Sequence, residues 1–168
     1  MGAKQVMIRP TIVAALSVLS ATSAMPATAG PEPAGHSDEM EGFSAGEPGD
    51  PTELARIIQV SMEERDGKML YVPAQVEIRK GETITFVIYN NGELDHEFVL
   101  ASTEENLEHA EMMMKNPEMQ HADPNARRVA PKQTSEIIWK FTKVGQFEFA
   151  CLIPGHRDAG MIGTVDVK

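Results

Sequence analysis

Cysteine is almost missing from this 168-residue chain. The one thiol, Cys151, excludes an internal disulfide and any centre that needs two thiolates. Basic side chains are also scarce: 15 Lys and Arg face 25 Asp and Glu, a formal charge of −10. Such a chain repels phosphate backbones, so nucleic acid is not expected as a partner; a cationic protein or metal ions fit better. The apolar run Thr11 to Leu19 is well short of the ~20 residues a membrane-spanning helix needs. Neither a phosphate-binding glycine loop nor a nucleophile triad is apparent. Hydrophobic residues, at 42%, are plentiful enough for a packed core within one domain of ordinary size.

The first twenty-nine residues read as an export signal. Lys4 and Arg9 give a positive start, Thr11 to Leu19 form the apolar stretch, and Ala27-Thr28-Ala29 offers a small-x-small cleavage site, with Ala24 as the alternative. Removing residues 1–29 takes away only those two positive charges, so −10 becomes −12. The expectation is a periplasmic protein with no membrane span after cleavage. Residues 30–51 interleave Pro, Gly and acidic side chains, a composition that cannot offset its own conformational entropy, and are read as a disordered acidic leader. His36 and Met40 within it are taken as solvated tail residues. The folded domain is expected over 52–168.

That domain reads mostly as strands: Ile57 to Met62, Val76 to Arg79, Glu82 to Asn90, Asp95 to Ala101, Thr134 to Phe141, Gln146 to Cys151 and Gly163 to Val167. They are rich in β-branched and aromatic residues and are separated by turn chemistry such as Asp66-Gly67 and Lys80-Gly81. Alternation puts Ile84, Phe86 and Ile88 on one face, and Ile137, Trp139 and Phe141 on another. An all-β antiparallel sandwich or barrel follows. Ser102 and Glu105 form a capping-box pattern, and Asn116-Pro117 a stop, so a helix is expected over Thr103 to Lys115 with Leu107, Ala110 and Met114 facing inward. The helix and the loop after it make an insertion at about 102–131. The charged pairs Glu63-Glu64 and Arg127-Arg128 read as solvated faces.

The chemistry concentrates in Cys151-Leu-Ile-Pro-Gly-His156-Arg-Asp-Ala-Gly-Met161. Cys151 shares strand parity with Phe147 and Phe149, which points its sulfur inward, and a turn-rich loop can curl His156 and Met161 around the same point. A fourth donor must come from elsewhere, and His96, on a strand with Phe98 and Leu100, is the best candidate. Two imidazoles, a thiolate and a thioether form a soft set that selects copper over magnesium, calcium or manganese; zinc could use the same donors, but a thioether is a poor zinc ligand.

The spacing C-x4-H-x4-M, the Pro-Gly-His triplet, the Gly-Met-x-Gly ending and the strand-borne upstream His resemble the cupredoxins, the plastocyanin and azurin superfamily. The loop is similar to the auracyanin and rusticyanin type, and the chain also resembles periplasmic copper-tolerance cupredoxins. The resemblance implies a Greek-key β-sandwich of about seven to eight strands. It also implies one type 1 copper, with His96, Cys151 and His156 equatorial and Met161 axial. Glu97 departs from the family pattern, which often has Asn or Ser after the strand His; alternation directs its side chain away from the His96 face.

The function implied is a non-enzymatic one-electron carrier cycling Cu(I) and Cu(II), expected as a monomer. Its redox partner, such as a cationic cytochrome, would dock near His156 beside Leu152, Ile153, Pro154 and Ile162. The alternative is a copper-tolerance or copper-buffering protein. It would use a second site for additional Cu(I), drawn from His109, Met112, Met113, Met119 and His121, whose soft donors recur at helical spacing.

Overall fold

The computed structural model describes residues 42–116 and 123–168. The expected signal peptide, the leader up to residue 41, and two of the second-site candidates, Met119 and His121, lie outside the described residues.

Among the described residues two five-stranded sheets face each other across one core. In chain order the strands are β1 (Glu47–Pro48), β2 (Arg56–Arg65), β3 (Lys68–Val72), β4 (Gln75–Ile78), β5 (Thr83–Asn90) and β6 (His96–Ala101). After helix α1 (Thr103–Lys115) come β7 (Ala126–Val129), β8 (Thr134–Lys140), β9 (Gly145–Ala150) and β10 (Ile162–Val167). One sheet runs β1-β8-β5-β2-β3 and the other β4-β10-β9-β6-β7. The sandwich is mixed rather than wholly antiparallel, because β2 pairs with β5, and β4 with β10, in parallel. The expected face assignments hold: Ile84, Phe86, Ile88, Trp139 and Phe141 are 0% exposed. Phe98 stacks on Phe149 at 4.9 Å, with Tyr71 edge-on to Phe149 at 5.0 Å. Each such aromatic contributes roughly 1.5–3 kcal/mol by leaving water.

Three strands were not anticipated. β3 follows a two-residue turn in which Asp66 and Gly67 both have positive φ (54° and 72°), the geometry that closes a tight hairpin. β7 carries Arg127 and Arg128 on a sheet edge, a common place for charge. β1 moves the start of the fold. The boundary expected at Thr52 gives way to one that reaches back to Phe43, which packs edge-on against Trp139 at 5.1 Å, while Ala45 is fully buried. The composition of 30–51 concealed this because its last ten residues combine two apolar anchors with glycines that let the backbone lie flat on β8. A side chain at Gly46 would come within 2.1 Å of the Lys140 carbonyl oxygen.

α1 has the expected bounds and the reciprocal capping box of Ser102 and Glu105. Its inward face differs. Asn106, Ala110 and Met113 face the sheet, whereas Leu107 and Met114 are 50% and 73% exposed. The reason is polar: the Asn106 amide donates to the Val99 carbonyl and the Glu148 carboxylate, rotating the helix about one residue from its purely apolar stripe. Met113 then fills a second small core with Val99, Ala126, Ala150 and Leu152 on the outer face of the β6 and β9 sheet. No helix among the described residues is long and apolar enough to cross a membrane.

Candidate metal centre

The core-facing parity of β6 carries His96, Phe98 and Leu100, all 0% exposed, so the imidazole sits at the rim of the core where the strand begins. Along β9 the same parity runs through Phe147 and Phe149 to Cys151, just past the strand's end and fully buried. The chain then curls. His156 N–H donates to the Ile153 carbonyl (3.0 Å), Met161 N–H to His156 (3.1 Å), and Cys151 N–H to Met161 (3.2 Å). Gly155 and Gly160 take positive φ, 86° and 104°, where a side chain would be strained. The loop is tied to β3 by Met69 N–H on the Ala159 carbonyl (3.1 Å).

The result is a convergence of donor atoms. One nitrogen each of His96 and His156 and the Cys151 sulfur all lie within 4.8 Å of one another. The two Nδ1 atoms are 3.2 Å apart, and Sγ is 3.4 Å from His156 Nδ1. Three donors bound to one first-row ion at about 2.0–2.3 Å in a trigonal plane stand about 3.5–3.8 Å apart. The observed separations are close to that span, so the residues fit a single ion with little rearrangement. Met161 is fully buried beside them, its backbone bonded to both Cys151 and His156.

Burial dominates the electrostatics. It pushes the Cys151 thiol up to about 12, against a partial offset from the Glu97 N–H that donates to Sγ at 3.3 Å. Burial, then the neighbouring His96, holds His156 below the usual imidazole range. The His156 imidazole thus offers a lone pair at neutral pH, while the thiol must lose its proton for an ion to bind it. Glu97 projects toward Arg128 (4.0 Å) on the outer face, as strand alternation implies.

Residues 58–168 match the sequence pattern of copper-binding proteins of the plastocyanin/azurin family. The chain belongs to that family. This cupredoxin is 50% identical over 123 residues to the copper-resistant cuproprotein CopI of Rubrivivax gelatinosus, covering 73% of each chain. It is 32% identical over 156 residues to the CopI of Pseudomonas aeruginosa, covering 76% of this chain and 84% of that one. Its fold is similar to that of dithionite-reduced auracyanin from Roseiflexus castenholzii: TM-score 0.57, 20% identity, 69% of this chain and 99% of that one.

Of the second-site candidates that the structure describes, Met113 belongs to the second core, Met112 is 48% exposed, and His109, one helical turn earlier on α1, is partly buried. Leu152, expected on a docking patch beside His156, is 1% exposed and packs under α1. Ile153 and Ile162 are half-buried and Pro154 is exposed.

One residue of the cupredoxin centre escaped the sequence reading. Glu64, taken as a solvated charge, accepts from His96 Nε2 at 2.9 Å. Strand parity was the available signal, since Glu64 shares the face of the buried Val60 and Met62.

Proposed function

We propose that this protein is an exported copper-tolerance protein in which His96, Cys151 and His156 would hold one copper ion, with the buried Met161 thioether as a further donor. The observation that carries the reading is the preformed cluster of two imidazole nitrogens and a thiol sulfur within 4.8 Å, with no carboxylate oxygen among the three. Such a set matches the His₂Cys arrangement of type 1 centres and is suited to copper. The 50% identity to a copper-resistant cuproprotein favours tolerance over other uses of the same centre. The export-signal pattern of residues 1–29 agrees with a periplasmic site of action.

Copper bound there supplies one-electron chemistry between Cu(I) and Cu(II). The protein's own residues would screen such an ion from water, since His96, Cys151 and Met161 are buried. A carrier function is the second reading. It is favoured by His156 being the partly exposed member of the donor set, the edge at which a cationic redox protein would meet the centre.

Copper titration of the mature protein, with metal analysis and visible absorption, tests the centre: one copper per chain and an intense thiolate-to-copper band are expected, and absence of the band overturns it. For the role, a strain lacking this protein should regain its copper limit for growth with the wild-type chain and not with Cys151→Ala. Equal rescue by both would refute tolerance through this centre. A growth defect independent of copper, with reversible electron exchange in solution, would favour the carrier. A stoichiometry above one that falls to one in Met112→Leu/Met119→Leu would assign extra Cu(I) to the insertion.

A further inference from the structure

The side of the His96 ring that faces away from Cys151 is occupied by a built acceptor. Nε2 lies 2.9 Å from Glu64 Oε1, and His96 is 0% exposed, so water does not compete for that nitrogen. The same carboxylate accepts from the backbone N–H groups of Glu93 and Leu94, each at 3.1 Å. These belong to the turn that delivers His96 to β6. The turn is shaped around the carboxylate: a side chain at Gly92 would come within 2.2 Å of Glu64 Oε1, so glycine is what lets the two approach. Asn90, fully buried, closes the turn by accepting from Gly92 N–H and donating to the carbonyls of Leu94 (2.7 Å) and Val129 (2.8 Å).

An ionised carboxylate only accepts, so the imidazole nitrogen facing it must carry the proton. A neutral ring with its proton on Nε2 has its lone pair on Nδ1, the atom that faces His156 Nδ1 at 3.2 Å. Partners of this kind orient metal-binding histidines and raise their basicity.

We propose that Glu64 is the positioning residue of this centre: it selects the His96 tautomer that presents Nδ1 to the ion, and it adds a fixed negative charge that favours Cu(II) over Cu(I). The charge half of the proposal rests on the copper reading above; the tautomer half does not require copper. The carboxylate beside the centre is therefore Glu64, from β2, rather than Glu97, the strand neighbour of His96.

The test compares Glu64→Gln, Glu64→Ala and the control Glu63→Gln, which removes a charge one residue away that pairs instead with Arg65. Nitrogen NMR of the apoprotein should show His96 protonated at Nε2 in wild type and control, and a tautomer mixture in Glu64→Ala. In the copper-loaded protein, Glu64→Gln should weaken Cu(II) relative to Cu(I) at least tenfold, which is a rise of about 59 mV for a one-electron couple. Glu64→Ala should lose about 10–100-fold in copper affinity and broaden the visible and EPR spectra. If Glu64→Ala does not fold, Glu64→Gln, which keeps the Oε1 acceptor, carries the test. An unchanged potential in Glu64→Gln, with an unchanged tautomer and only a lower melting temperature in Glu64→Ala, would overturn the proposal and leave Glu64 as a staple of the turn. A wild-type protein that takes up no copper would overturn the copper reading, while the apoprotein tautomers would still decide the positioning role.

Discussion

Copper binding should release one proton at pH 7.5, and the proton should come from Cys151. The thiol is raised to about 12, first by burial, so in the apoprotein it is protonated throughout the neutral range. The metal-bound form is the thiolate. A group that titrates near 12 lies about 4.5 units above pH 7.5, and at about 1.36 kcal/mol per unit its ionisation costs roughly 6 kcal/mol, which the copper–sulfur bond must offset. Neither neighbour contributes a proton. His156 is held below the usual imidazole range and is already neutral. Glu64, despite a burial effect in the other direction, is kept below the usual carboxylate range by the Leu94 and Glu93 N–H groups and is already ionised. Raising the pH eases the thiol's ionisation, so apparent affinity should tighten about tenfold per unit between pH 7 and 9. Calorimetric titration of the apoprotein in two buffers of different protonation enthalpy gives the proton count directly. Release of no proton would mean that the thiolate is present before the metal, and release of two that an imidazole is charged; either result refutes this account of the site's electrostatics.

The same thiol makes the apoprotein sensitive to alkali. Because folding raises its pKa, its contribution is intact below about pH 9 and is lost as pH climbs toward 12, about 4 kcal/mol in all; apo Cys151→Ala should show a flatter melting profile over that window. Arg157, one residue past the ligand-loop His156, pairs with Glu148 at 3.0 Å with both side chains largely buried, and Glu148 also receives the Asn106 amide. Arg157→Ala should cost about 3–5 kcal/mol in denaturant unfolding, whereas a cost under about 1 would show that water reaches the orphaned carboxylate. The docked face of α1 is checked by paired truncations. Met113→Ala should cost about 2–5 kcal/mol and Met114→Ala within about 0.5; the opposite ranking would restore the purely apolar stripe.

Much of the centre is legible in the sequence because strand parity is a local rule. Two residues from Phe149 to Cys151, and two from Phe98 to His96, place a sulfur and an imidazole on core faces whichever way the sheets pair. The loop donors were legible for a similar reason, since glycines at 155 and 160 mark where the eleven residues between β9 and β10 can turn back on themselves. The bounds of α1 followed from Ser102, Glu105 and Asn116, which interact within one or two turns.

What stayed hidden depends on contacts between segments remote in sequence. The rotation of α1 is settled by Glu148, more than forty residues from Asn106, because a buried amide must find its partner before an apolar stripe can choose its own. Phe43 reads as part of a disordered leader until Trp139 is beside it. Glu64 looks like any acidic side chain at a strand end until the turn at Gly92 wraps it and sets its carboxylate against His96. Donor types, their faces and the likeness to copper proteins are properties of neighbours along the chain, so one dimension suffices for them. Which face of a helix docks, where the fold begins and which carboxylate attends the centre follow from pairings across the sandwich, and only the folded arrangement brings those partners within bonding distance.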